Sequence, residues 1–366
     1  MKRRTFLTTT AGAAAATVTG LAAPAYATGR RKLKMVTTWP KKFPGLGTRA
    51  EEFARDIGAA TDGRIHIKVY AGNELVPPLG AFDAVRSGKA DVYHGSEYYW
   101  QGKHKAFSFF TAIPFGLTAM EQSQWLNYGG GQALWDELSG KFNIKALACT
   151  NSGVQMGGWF KKEMNSVEDF KGLRMRIPGL GGEVLKRLGA TPVTKAGGEI
   201  YLALSQGNID ASEWVGPWND LAFGFHNITK YYYTSAFQEP GAAIAAGFNK
   251  DVWDSFSPAD KAIITAVAGD NYQKSLAEFN ARNAAALRVL VNKHGVKLRT
   301  YSDEILVALT RVSDQVLQEL ALEDDLSKRV YNSYMDTRRA VMEWKAIADE
   351  PYYRSRRLYQ NFGKKL

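Results

Sequence analysis

The chain has 366 residues, 45% of them hydrophobic and 23% charged, and a formal net charge of +11. That length suits two domains sharing one cleft. The basic excess is spread along the chain with small knots at 29–32 and 354–357 and lacks the stripe or motif of a nucleic-acid binder, which leaves anionic ligands or an anionic membrane surface.

The first 27 residues predict an export signal. Lys2-Arg3-Arg4-Thr5-Phe6-Leu7 has the paired arginines and following Phe-Leu of a twin-arginine signal, and Pro24-Ala25-Tyr26-Ala27 is an A-x-A cleavage site. The alanine-rich run 11–23 between them is too short for a membrane helix, although an uncleaved anchor is the alternative. The mature chain is expected to start at Thr28, to lie in the periplasm and to carry +8, since the signal holds three cations and no acid. Its single Cys149 excludes an intrachain disulfide and falls in an apolar strand-like run, 144–150, as a buried inert thiol.

Residues 33–38 predict a first strand and 39–47 a loop. Phe53, Ile57 and Ala60 recur at helical spacing over 48–60, ended by Thr61-Asp62-Gly63. Residues 64–70 alternate as a second strand, 78–86 form a helix closed by Gly88, and Ala90-Asp91-Val92 opens a third strand. This βαβαβ order implies a largely parallel sheet.

Residues 165–179 are the most informative stretch. Ser166 and Asp169 form a variant capping box, Gly172 releases the chain, and 173–177 alternate so that Arg174 and Arg176 share one side. Pro178 cannot continue a central ladder, so Arg176 falls at a strand's end, where open α/β sheets place ligand crevices. Its planar fork suits a carboxylate, and a solvated surface arginine is the plain alternative.

A weak repeat relates 84–92 to 203–211. Each is a helix end, a glycine and an aspartate opening a strand, which either marks two similar lobes or repeats a common αβ turn. After each aspartate comes an aromatic or acidic tip: Tyr98, Tyr99 and Trp100 in one, Glu213 and Trp214 in the other. Ser257-Pro258-Ala259-Asp260 opens a long helix to about His294. Ile305, Leu309, Val312, Val316 and Leu320 form an apolar stripe, and Leu326, Val330, Tyr334 and Val341 another, for core packing or for a dimer interface. The chain has no dinucleotide, Walker, zincin or nucleophile-elbow motif, and its five histidines lack ligand spacing.

The run Asp169 to Gly179 (DFKGLRMRIPG), followed by Leu188-Gly189-Ala190-Thr191-Pro192, Glu199 to Gly207 and Asp210 to Trp214, resembles the solute-binding proteins of tripartite ATP-independent periplasmic (TRAP) transporters, over essentially the whole mature chain. The resemblance implies an α/β, two-lobed periplasmic binding protein fold with a cleft between lobes, crossing strands, a long helix and an extended C-terminal helix. Lobe I would hold 28–150 plus about 241–280, lobe II 151–240 plus about 281–320, and the helical extension about 321–366. It further implies Arg176 on a ligand carboxylate, a two-part membrane permease as partner, and no catalysis.

Asn151-Ser152-Gly153-Val154-Gln155 and Glu213-Trp214 look like the branch that binds 2-oxo acids or lactate through a cation. By that resemblance Gln155, Glu213 and Trp214 gather around Na⁺ or Ca²⁺, and Arg176, Asn151, Gln155 and Trp214 meet the substrate. Gln238 and Glu239, just past the expected crossover near Phe237, could supply another cation ligand, and Tyr98, Tyr99 and Trp100 wall the pocket, although alternation lets only some of them face it. Taken alone, Gln155 could simply bond backbone and Trp214 could be core. The first expectation is a receptor for a small 2-oxo monocarboxylate such as pyruvate with bridging Na⁺; the alternatives are a lactate or hydroxy-acid receptor with Ca²⁺, or an exported enzyme acting on an organic acid. Relatives of this branch exchange a long C-terminal helix, so a homodimer through that helix is also implied.

Overall fold

The computed structural model describes residues 30–234 and 236–359, so the expected signal and the last residues of the C-terminal extension lie outside the described residues. In chain order the strands are β1 (Arg31–Thr37), β2 (Ile65–Tyr70), β3 (Val92–Gly95), β4 (Ile144–Asn151), β5 (Gly158–Phe160) and β6 (Arg174–Arg176). They continue as β7 (Thr191–Val193), β8 (Ala211–Ser212), β9 (Tyr231–Tyr233), β10 (Ala243–Asn249) and β11 (Lys297–Arg299).

These build two sheets, ordered β2-β1-β3-β10-β4 and β11-β9-β5-β8-β6-β7. The βαβαβ expectation holds at the start of the chain, where β1 pairs in parallel with both β2 and β3. The second sheet repeats it, with β6 parallel to both β7 and β8. In each sheet the next neighbour is antiparallel: β10 against β3, and β5 against β8. The chain passes from the first sheet to the second between β4 and β5 and returns between β9 and β10. Two crossing segments, 152–157 and 234–242, therefore join two sandwiches of sheet and helix.

The repeat seen in the sequence has one physical role in both sheets. Asp91 and Asp210 each open a strand beside a parallel partner, and each carboxylate accepts the partner's backbone N–H, from Lys34 at 2.7 Å and from Arg174 at 3.2 Å. Each aspartate's own N–H donates back to the same residue's carbonyl. Arg174 also grips Asp210 through Nε and Nη2, which separates it in function from Arg176 two residues on.

Alternation along β1 sends Leu33 and Met35 to a cluster with Phe53 and Ile57 of the helix Gly47–Ala60, and Val36 to the opposite face with Phe82, Phe107 and Trp135. The helix Pro258–Asn292, capped by Ser257 Oγ accepting the Asp260 N–H at 3.1 Å, packs on β4 of the first sheet and on the helix Pro217–Phe223 of the second. Both C-terminal stripes are buried within this chain: Ile305 to Leu320 on the helix Asp303–Ala321, and Leu326 to Val341 on the helix Asp325–Ile347. The Tyr334 hydroxyl, at the centre of the second stripe, accepts the Leu117 N–H at 2.6 Å. Apolar side chains that remain exposed near the chain's end are others: Trp344, Ile347, Tyr352 and Leu358. No helix among the described residues is long and apolar enough to cross a membrane.

Candidate functional site

Arg176 ends β6, as alternation and Pro178 predict, but it is not solvated: it is wholly buried. Its Nε donates to the Lys195 carbonyl at 3.1 Å and its Nη2 to the Tyr99 hydroxyl at 3.3 Å. Its Nη1 meets the carboxylate of Glu213, the residue just past β8, and donates to the Glu213 carbonyl at 3.3 Å. The guanidinium lies 5.0 Å from the Trp214 ring centre. Burial opposes its charge, but the groups around it, Glu213 foremost, hold its pKa above the ordinary value.

The two crossing segments bring the remaining polar groups here. Gln155 on the first donates its N–H to the Glu239 carbonyl on the second at 3.2 Å, and Gln238 Nε2 donates to the Met156 carbonyl at 3.0 Å. Gln155 Nε2 donates to Ser152 Oγ at 3.0 Å. What is left over is chemically uniform. Gln155 Oε1, Gln238 Oε1 and Glu213 Oε2 are buried acceptors with no hydrogen-bond partner, and the Glu239 carboxylate has only the Tyr98 hydroxyl beside it. Buried oxygens of this kind call for a donor or a cation. Burial raises the Glu213 carboxyl to about 7 against the pull of Arg176. It raises that of Glu239 well above the usual range, with Glu213 adding to the shift.

Such a set, two carboxylates and two amide oxygens without sulfur or imidazole, suits a hard cation such as Na⁺ or Ca²⁺ and not a transition metal. Accordingly, no group of three or more His, Cys, Asp or Glu side chains with the makings of a metal site occurs among the described residues. Beside these acceptors the Trp214 indole N–H is a buried donor without a partner.

A narrow cavity of about 10 Å³, the room of roughly one water, borders two of these groups, Gln155 and Trp214, while Glu213, Gln238 and Glu239 do not line it. Ser96, Tyr98, Tyr99, Ser152 and Gln155 form its polar side. Trp39, Leu46, Trp214, Val215 and Ile244 also line it and belong to one hydrophobic cluster. Arg176 stands one layer back, against Tyr99 and Trp214. The Trp214 loop is braced by Asp220, whose carboxylate accepts the Val215 and Gly216 N–H groups, the Trp159 indole and the Tyr232 hydroxyl.

Two expected substrate contacts are directed elsewhere. Trp100 turns into the core, where its indole N–H donates to the Leu79 carbonyl at 2.8 Å and its ring packs on Phe82 and Tyr93. Asn151 is spent on the protein itself: its amide donates to the Gly241 carbonyl and the Tyr272 hydroxyl, and its oxygen accepts the Gly153 N–H. Sequence reasoning also missed His94. Fully buried behind the cavity wall, it accepts the Trp39 indole N–H at Nδ1 over 2.8 Å, and burial depresses its pKa to about 3.

The chain is similar to known proteins over most of its length. The model of the bacterial extracellular solute-binding protein family 7 matches residues 35–324. A monocarboxylate 2-oxoacid-binding periplasmic protein of Nostoc is 38% identical over 96% of this chain and 98% of its own length. A TRAP periplasmic solute-binding protein from Pseudoalteromonas atlantica, solved with sodium and pyruvate, superposes with a TM-score of 0.87 at 38% identity, covering 89% of this chain and 99% of that one. Another from Colwellia psychrerythraea, with calcium and pyruvate, gives 0.86 at 36% identity, covering 89% and 99%.

Proposed function

Because this chain belongs to the family 7 bacterial extracellular solute-binding proteins, we propose that it is the receptor of a TRAP transporter that captures a small 2-oxo monocarboxylate, pyruvate or a longer homologue, and hands it to a membrane permease. The observation that carries the reading is the pairing of a buried guanidinium, Arg176, with the buried acceptor oxygens of Glu213, Glu239, Gln155 and Gln238. A 2-oxo acid offers complementary groups: a carboxylate for Arg176 and two adjacent oxygens for a cation.

Arg176, its Nε anchored on the Lys195 carbonyl, would turn the charge-assisted donors it now spends on Glu213 and Tyr99 to the ligand's carboxylate. Glu213, Glu239, Gln155 and Gln238 would hold the cation. A bound cation would supply positive charge toward the ligand's carboxylate and 2-oxygen. The cavity's small volume fits a closed receptor, in which lobe I (28–150 plus about 241–280) and lobe II (151–240 plus about 281–320) separate at the crossing segments to admit ligand. A calcium-dependent lactate or hydroxy-acid receptor is the second reading, favoured by the second carboxylate, Glu239.

The twin-arginine segment would deliver the chain to the periplasm, and the exposed Trp344, Ile347, Tyr352 and Leu358 would meet a second copy in a homodimer. Calorimetric titration of refolded, ligand-stripped protein with pyruvate and longer 2-oxo acids, in sodium, calcium and choline buffers, tests the reading. Cation-dependent binding at micromolar or lower concentration is expected. Silence toward every 2-oxo acid would remove the ligand assignment, and turnover of a bound acid would make the protein an enzyme instead.

A further inference from the structure

Trp39 follows β1 and is 2% exposed. Its indole forms part of the cavity wall and meets Trp214 edge to face, with ring centres 6.2 Å apart and planes at 73°; Tyr99 lies 6.4 Å away. The indole has one polar atom, and that atom donates to His94 Nδ1 at 2.8 Å. With Nδ1 accepting, the neutral ring carries its proton on Nε2, which donates to Thr150 Oγ1 at 3.0 Å. Thr150 Oγ1 also accepts from Asn271 Nδ2 at 3.2 Å, on the helix Pro258–Asn292 that packs on β4 and on the helix Pro217–Phe223. A large apolar wall is thus locked by a buried chain of hydrogen bonds. Turning the indole to another rotamer would strand both its own N–H and the His94 acceptor away from water.

The rest of the cavity gives this lock a use. Its polar side is set by Tyr98, Tyr99, Ser152 and Gln155, so the non-polar end of any bound acid is left to Trp39, Leu46, Trp214, Val215 and Ile244. Of the two tryptophans, Trp39 is fixed by a hydrogen bond, while the Trp214 indole N–H has no partner.

We propose that Trp39, oriented by His94, sets the longest tail the bound acid can carry: Trp39 is the specificity-determining wall and His94 its positioning residue. This rests on the 2-oxo acid reading above. A hydrophobic pocket distinguishes ligands differing by one methylene by about 10- to 200-fold, so small displacements of one wall register as changes in relative affinity.

The test is the ratio of affinities for pyruvate and a 2-oxo acid with two to three more carbons, measured calorimetrically for wild type, Trp39→Phe, His94→Leu, His94→Gln and the Trp39→Phe/His94→Leu double variant. Trp39→Phe is expected to shift the ratio toward the longer acid by about tenfold. His94→Leu should shift it in the same direction, and His94→Gln, which keeps an acceptor and a donor, should restore it. In the Trp39→Phe background, where no N–H remains to be held, His94→Leu should change nothing further. Because each figure is a ratio within one folded sample, a general loss of stability leaves it unmoved. If wild type binds 2-oxo acids but the single variants keep its ratio within twofold, or if the two changes add, the proposal is overturned while the ligand reading stands. If wild type binds no 2-oxo acid, the ligand reading falls and takes this proposal with it.

Discussion

Arg176 and Glu213 form an ion pair in which neither side chain is exposed, and they reach it from the ends of adjacent parallel strands, β6 and β8. The pair sets the two charges against each other. It also leaves one Glu213 oxygen unpartnered and the guanidinium held toward Tyr99 and Trp214.

Truncating one partner of such a buried pair costs about 2 to 5 kcal/mol, much of it from stranding the other charge. Arg176→Ala is therefore expected to weaken carboxylate binding by about that amount and to lower the melting temperature as well. Calorimetry with pyruvate beside a thermal melt reads both, and binding unchanged within twofold would refute the role given to Arg176.

Much of this site could be read from the sequence, for local reasons. Strand alternation and Pro178 placed Arg176 at a strand end, and the Asp-opened strands with their following tips placed Glu213 and Trp214. What could not be read depended on geometry that alternation does not describe. Residues Glu97–Trp100 form a 3₁₀ helix, with three residues per turn, so Glu97 and Trp100 share the core side while Tyr98 and Tyr99 face the cavity. The Trp39–His94 bond joins residues 55 apart, through the parallel pairing of β1 with β3, and no local pattern announces it.

Glu97 gives a pH dependence with a definite sign. Burial raises its carboxyl from 4.5 to about 8, against the pull of the Tyr93 hydroxyl and the Trp135 indole beside it. The folded state then keeps a proton that the unfolded state releases, so stability is full below about pH 4.5 and is lost as pH rises toward 8. Glu97→Gln is expected to flatten this limb, and the difference from wild type should change by on the order of a few kcal/mol between the two ends. Urea unfolding at pH 5 and pH 8 measures it; parallel pH profiles would show that Glu97 is ionised in the fold.

Gly197 lies against the Trp214 indole so closely that a Cβ there would meet the ring at 2.4 Å. Its backbone does not require glycine, so the effect of Gly197→Ala is steric and falls on Trp214. Overpacking of this kind costs about 1 to 3 kcal/mol. The expected outcome is weaker ligand binding with a modest loss of stability, together with altered Trp214 fluorescence. An alanine variant with wild-type affinity would mean that Trp214 can shift without consequence for the ligand.

The charge count in the cleft bears on the cation. Burial raises both the Glu213 and Glu239 carboxyls, but with a cation bound both would ionise beside a single guanidinium, and a bound acid would add a further negative charge, so a divalent ion would balance the site where a monovalent ion would leave it negative. Glu239→Gln keeps an oxygen donor in place and removes one charge. It should therefore weaken calcium-supported binding of pyruvate by about 10- to 100-fold, the range for disturbing a metal's surroundings, and weaken sodium-supported binding less. Glu213→Gln should harm both, because it also leaves Arg176 without its partner. Titrations of the two variants in calcium and in sodium decide the matter. An unchanged calcium-to-sodium ratio in Glu239→Gln would remove that carboxylate from the cation's surroundings and return the charge balance to Glu213 alone.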